Sequence, residues 1–169
     1  MSHIVLDMAA KKKLQLPPIS INIWCVEGKV ARTTLAASVD AFSWQSFDSN
    51  NELDQQLASW FYAYVEGSHP DVTDLIHLVD IPPFTLRVLN CLAKLPFGQT
   101  ITYQGLAQRV GSPNAARAVG SACGRNPVAL LIPCHRVVAA AGIGGFSQDP
   151  AAKRHLLAFE RVGCVNQIL

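Results

Sequence analysis

The sequence has no long apolar run. Its most apolar stretch, residues 128–146, is interrupted by Pro133, His135 and Arg136. A membrane helix needs roughly 20 consecutive apolar residues, so no partner membrane is expected. Charge is scarce as well, at 15% of residues against 50% hydrophobic. That balance buries a core and argues against disorder. At 169 residues the chain suits one ordinary domain, or two small ones sharing a core. No C-x-x-C pair occurs. The five cysteines, Cys25, Cys91, Cys123, Cys134 and Cys164, are odd in number and irregularly spaced, which points to a reducing compartment and not to a disulfide framework. Zinc-ligand spacing is missing too. Cys25 with His69 and His77 is the one grouping that could be assembled, and the expectation is no metal and no cofactor. A secretory leader is also lacking. Asp7 interrupts the first apolar residues, and Lys11, Lys12 and Lys13 follow them where a leader places its charge first. The expected location is cytoplasmic, in association with the nucleoid.

Charge is unevenly spread. Residues 1–79 carry a net of −4 and residues 80–169 a net of +6. A basic C-terminal half suits a polyanionic partner.

Residues 1–18 read as a loose lead-in. Residues 19–26 alternate as a strand, Glu27-Gly28 can turn the chain, and residues 29–38 read as the returning strand. Residues 51–66 carry a helical stripe of Leu53, Leu57, Trp60, Phe61 and Tyr64, with Asn50 or Asn51 to cap it and Gly67 to end it. Gly67, Pro70, Pro82 and Pro83 mark a connector. A second amphipathic helix over 84–95 follows. Residues 102–110 and about 115–123 then read as two short helices around a Gly111-Ser112-Pro113 break, the second capped by Asn114 or Ser112 and closed by Gly124. A last helix is expected over about 151–161, stopped by Gly163. The predicted fold is an α/β N-terminal domain, a small sheet plus a helix, over residues 1–79 with its connector from about 67. A mainly α C-terminal domain with a helix-turn-helix occupies 80–169.

Cys134 follows Pro133, which removes a backbone donor, and precedes His135 and Arg136, whose charge favours a thiolate. In extended chain, neighbouring side chains point to opposite faces. His135 therefore needs an intervening water, or a bend at this turn, to act on Cys134. The helix over 115–123 is built from Ala115, Ala116, Ala118, Val119, Gly120, Ser121 and Ala122 around Arg117, with no Asn, Gln or Lys to read base edges.

Pro133-Cys134-His135-Arg136-Val137 resembles the active-site signature of the O6-alkylguanine-DNA alkyltransferases. Arg117-Ala118-Val119-Gly120, Asn126-Pro127, Thr102-Tyr103, Gly142-Ile143-Gly144-Gly145 and Leu156-Leu157-Ala158-Phe159-Glu160 match in order, so that the likeness covers about residues 80–163. The resemblance implies repair by direct reversal: single-turnover, irreversible transfer of an alkyl group from O6-alkylguanine to Cys134, with O4-alkylthymine as a second candidate substrate. It implies that His135 deprotonates Cys134 through a water and that Glu160 orients His135. Tyr103 would donate to the guanine, and Asn126 would tie the helix pair to the cysteine loop. Val137, Phe146 and Ser147 would line the substrate pocket. Arg117 would fill the gap left by a flipped base, while Ala115, Ala116, Gly120 and Tyr103 approach double-stranded DNA through the minor groove with little sequence preference. A monomer is expected. Two departures stand out, Phe146 where the family usually has tyrosine, and Gln148-Asp149-Pro150 where a glycine is common. A lesion-binding module without transfer, and a cysteine hydrolase or redox protein, are the competing readings.

Overall fold

The computed structural model describes residues 2–5, 16–39 and 42–166, with side chains described for 16–39 and 42–161. Lys11–Lys13 of the expected lead-in lie outside the described residues.

Four strands form the N-terminal sheet: β1 (Ser2–Val5), β2 (Ile19–Val26), β3 (Lys29–Ala37) and β4 (Ser43–Phe47), in the order β1-β4-β2-β3. The predicted hairpin is β2–β3, turned at Glu27 and Gly28 with φ of 52° and 72°, the left-handed pair that a tight hairpin turn requires. Sequence reading did not anticipate β1 or β4. Ser2–Val5 is a strand paired antiparallel to β4, and so not loose. Strand β4 runs parallel to β2, and its buried face is Trp44 and Ser46. A serine at a core position hides the alternation. Its hydroxyl donates to Asp54 at 2.8 Å, which meets its hydrogen-bonding need inside.

Helix α1 (Asn51–Val65) closes one face of this sheet. Asn50 caps it by accepting from the Leu53 amide at 2.8 Å. Its buried stripe, Leu53, Leu57, Trp60, Phe61 and Tyr64, is the predicted one, and Phe61 packs against Trp44 and Phe42. The connector is stitched back onto β3, with Val30 bonded to Leu75 and His77 through the backbone.

The C-terminal half comprises α2 (Pro83–Ala93), α3 (Tyr103–Arg109), α4 (Ala116–Gly124) and α5 (Pro150–Asn166), with a short parallel pair, β5 (Ile101–Thr102) and β6 (Val137–Val138). Thr102 caps α3 by accepting from the Gly105 amide. Two expectations fail. Neither Asn114 nor Ser112 caps α4, because Ala115 occupies the cap position and makes no side-chain bond. Gly124 is the last residue of α4, as expected, but α5 runs through Gly163 to Asn166. A glycine only weakens a helix, by about 1 kcal/mol, and it stops one only where the chain must turn. One buried cluster runs from Ile19 to Phe159 through both halves. Leu130, 1% exposed, holds φ at 77° in the segment leading to Pro133. That is strain for a leucine, on the order of 1–3 kcal/mol.

Candidate active site

Cys134–Arg136 form a single 3₁₀ turn between the buried segment 128–133 and β6. With three residues per turn, successive side chains leave in different directions. This is the bend that the sequence left open. Cys134 faces a cavity, while His135 and Arg136 reach Glu160 on α5.

Glu160 is 1% exposed and not a surface charge. Its carboxylate accepts from Tyr64 Oη at 2.9 Å, Gly98 N at 3.2 Å, and Arg136 Nε and Nη2 at 2.9 Å each. It also accepts from His135 Nε2 at 2.8 Å. Burial alone would raise its pKa, but the His135 and Arg136 partners outweigh it and hold the carboxyl well below the usual range. This pairing puts the His135 proton on Nε2 and leaves Nδ1 as the lone-pair nitrogen, buried and without a hydrogen-bond partner among the described residues. Burial pushes the His135 pKa down against the pull of Glu160, so the imidazole is neutral and available as a base. Arg136 also donates to Leu95 O at 2.6 Å and contacts His69 Nδ1 at 3.2 Å. Burial and that guanidinium lower the His69 pKa to about 3. Among the described residues, no three His, Cys, Asp or Glu side chains are grouped to hold a metal ion.

The environment of Cys134 differs from the expectation of a thiolate favoured by its neighbours. His135 and Arg136 are turned toward Glu160, and burial pushes the thiol up from its ordinary value. The groups that oppose burial are Asn126 Nδ2, which donates to Sγ at 3.1 Å, then Lys153, then the backbone amides of Cys134 and His135. Asn126 also donates to Ile132 O at 2.8 Å and accepts from the Val128 amide. It therefore clamps the segment that carries the cysteine.

Cys134 lines a cavity of about 220 Å³ with Tyr103, Gly120, Cys123, Gly124, Gly145, Phe146 and Ser147. Drug-sized sites run about 300–1,000 Å³, so this one suits a single small ligand. Tyr103 Oη donates to Gly145 O at 3.2 Å. Gly144 sits beneath the Tyr103 ring with φ at 73°, where a Cβ would meet both the ring and the Ala139 nitrogen at 3.0 Å. Val137 is not among the lining residues. It is fully buried, and its carbonyl accepts from Lys153. Arg117 is exposed on α4.

A family model described as 6-O-methylguanine DNA methyltransferase, DNA binding domain, matches residues 83–162. The methylated-DNA–protein-cysteine methyltransferase of Saccharolobus islandicus is 38% identical over 118 residues, spanning 68% of this chain and 76% of the relative. The chain belongs to the methylated-DNA–protein-cysteine methyltransferase family. Among solved structures, Mycobacterium tuberculosis OGT in complex with DNA superposes with a TM-score of 0.60 at 26% identity, covering 85% of this chain and 94% of that one. An O6-methylguanine DNA methyltransferase from Methanococcus jannaschii gives 0.59 at 29% identity, covering 84% and 88%.

In this family member two site residues escaped sequence reading. Lys153, 1% exposed, donates to Val137 O at 2.7 Å and Gly145 O at 2.9 Å. Burial lowers its pKa, and the two cysteines, Cys134 and Cys123, raise it. The α5 stripe carried a signal. Lys153 shares the spacing of Leu156, Leu157 and Glu160 at i+3, i+4 and i+7. Cys123 faces the same cavity, and burial pushes its thiol up to about 12, so it stays protonated.

Proposed function

We propose that this chain repairs DNA by moving an alkyl group from the O6 atom of guanine onto Cys134 in one irreversible turnover. The observation that carries the reading is the meeting of Cys134 with a one-base cavity, directly followed by the buried His135–Glu160 pair. In the step, Sγ attacks the alkyl carbon and the carbon–O6 bond breaks. The thiol proton passes to His135 through a water, and guanine leaves as an anion that takes a proton from water and is restored, while His135 returns its proton to solvent. Tyr103 turns its single O–H from Gly145 O to the departing base, Ser147 offers a hydrogen bond toward O6, and Asn126 holds the nucleophile. The product thioether has no good leaving group, so the protein is consumed.

Residues 80–169 carry the chemistry and the DNA contact, and residues 1–79 support them. Helices α3 and α4 serve as a helix-turn-helix. A helix is about 10–12 Å across with side chains, against a minor groove about 6 Å wide. Small residues such as Ala115, Ala116 and Gly120 permit the approach, with Arg117 left exposed to fill the gap of the everted base. Eversion costs a few kcal/mol, less for a weakened pair. Without donors for base edges on α4, little sequence preference follows. One chain supplies every group in the reaction, so it acts as a monomer, with DNA in the cytoplasm. Among the described residues no helix is long and apolar enough to cross a membrane.

Incubation with an O6-methylguanine duplex should add one methyl mass to the Cys134 peptide and then stop. Repeated turnover, or no adduct, rejects the reading. Cys134→Ala should abolish transfer and keep lesion binding, which separates transfer from the binding-module alternative.

A further inference from the structure

Strand β3 is an edge of the sheet. An edge strand presents every second amide outward with no strand to receive it. Here three such amides, on Thr33, Leu35 and Ala37, are all taken by the C-terminal half. Thr33 N donates to Pro127 O at 2.8 Å, and Thr33 Oγ1 donates to Ala129 O at 2.8 Å. Leu35 N donates to Gln148 Oε1 at 3.3 Å, and Ala37 N to Asp149 Oδ2 at 2.7 Å. The first pair holds the segment that enters the Cys134 turn. The second pair holds the segment that leaves the cavity wall formed by Gly145, Phe146 and Ser147.

The two ends are gripped differently. On the entering side the acceptors are backbone carbonyls. On the leaving side they are side chains of Gln148 and Asp149. The Asp149 carboxylate is used twice, because Oδ1 accepts from the Ala151 amide at 2.8 Å and so starts α5. The inner face of the same wall is pinned through Gly145 O by Tyr103 and Lys153. Phe146 and Ser147 therefore hang between an inner pin and an outer one.

We infer that the outward edge of β3 is a clamp that sets the width of the alkyl cavity, with Gln148 and Asp149 as positioning residues that govern how bulky a transferred group the wall admits. This rests on the alkyl-transfer reading and gives the N-terminal sheet a part in specificity. A serine at 149 is long enough to cap the Ala151 amide but too short to reach Ala37, so it separates the clamp from helix capping. A Glu at 148 keeps an acceptor for Leu35.

The test compares wild type, Gln148→Glu, and the double variant Gln148→Ala with Asp149→Ser. Hydrogen exchange is followed over residues 33–37 and 144–147. Saturating transfer rate and half-saturation are measured separately with a methylated duplex and with free O6-benzylguanine. In the double variant, exchange at the Leu35 and Ala37 amides, which lose their acceptors, should speed up by about tenfold, as loss of a hydrogen bond allows. The benzyl-to-methyl rate ratio should rise while Tm stays within a few degrees of wild type. Gln148→Glu should keep the wild-type ratio. Unchanged exchange at Leu35 and Ala37, an unchanged benzyl-to-methyl ratio, or a parallel fall of both rates with Tm, overturns the inference. A wild-type protein that takes no methyl group rejects the transfer reading alone, and the exchange measurement still decides the clamp.

Discussion

Glu160→Gln is the sharpest perturbation the site offers. The amide keeps the shape and removes the charge. Glu160 accepts five hydrogen bonds from Tyr64, Gly98, His135 and Arg136, all between 2.8 and 3.2 Å. Gln retains one acceptor oxygen and gains an NH₂ that faces donors. Arg136, fully buried, becomes an unpaired cation, and breaking a buried pair in this way costs about 3–5 kcal/mol. For a chain of this size, 1 kcal/mol moves Tm by roughly 2–4 °C, so the expected fall is on the order of 6–20 °C. The same change strips His135 of the carboxylate that fixes its tautomer. A positioned general base contributes about 10²–10⁴ in rate, so transfer to Cys134 should slow by that range, below the unfolding temperature of the variant. The assays are urea denaturation and time-resolved mass spectrometry of the Cys134 peptide. A destabilisation under about 1 kcal/mol, or an unchanged rate, refutes the reasoning, because either would mean that the Glu160 network is solvated.

Lys153→Met should leave the buried Val137 carbonyl unpaired, at about 1–3 kcal/mol, while the Gly145 carbonyl keeps Tyr103 as a donor. It should also move the pH–rate profile of alkyl transfer upward, since a cation that lowers the Cys134 thiol pKa is gone; an unmoved profile counts against that role. Arg117→Ala should slow reaction with methylated duplex by about 5–100-fold, the cost of roughly 1–2.5 kcal/mol of lost help with base eversion. It should leave the rate with free O6-benzylguanine intact, so equal losses on both substrates would point to misfolding. Acid should destabilise the fold early. The His135 pKa is lowered from 6.5 by burial, so below that value the unfolded chain binds a proton that the folded one does not, and stability falls by about 1.4 kcal/mol per pH unit from this group. Glu160, held low, keeps its contribution above the ordinary carboxylate value and loses it only in stronger acid. A flat urea midpoint between pH 6.5 and pH 5 contradicts the His135 assignment.

Where one element's pattern was enough, the sequence was readable. The β2–β3 hairpin followed from alternation and Glu27-Gly28, and α1 from its stripe and Asn50. The Cys134 segment followed from an ordered set of short motifs. What stayed hidden depended on partners far away in the chain. Ser46 looks like a surface residue until Asp54 is found beneath it. Lys153 looks like solvent-facing charge until two carbonyls from other segments converge on its ammonium. The charge of His135 and Arg136 was visible, but its direction was not, because a 3₁₀ turn and an extended strand of the same three residues aim them differently. Val137 was assigned to the pocket on resemblance, and its side chain is packed inside.

A thiol raised by burial looks wrong for a nucleophile, since the thiolate is the reactive form. For a protein consumed by its own reaction the order of importance reverses. A permanently ionised Cys134 would spend itself on any electrophile that reached it. A buried, protonated thiol does not, and the proton becomes the gate. Three features keep that gate openable. Asn126 and Lys153 oppose the effect of burial on the thiol. His135 stays neutral with Nδ1 unpartnered among the described residues, so a base is waiting. Glu160, ionised, stabilises the imidazolium once the proton arrives. Reactivity then depends on the cavity being filled by a base that can accept negative charge as it leaves. On this argument, a small haloalkane offered without DNA should alkylate Cys134 no faster than it alkylates an ordinary exposed thiol. A markedly faster reaction would mean that the anion already exists in the resting protein.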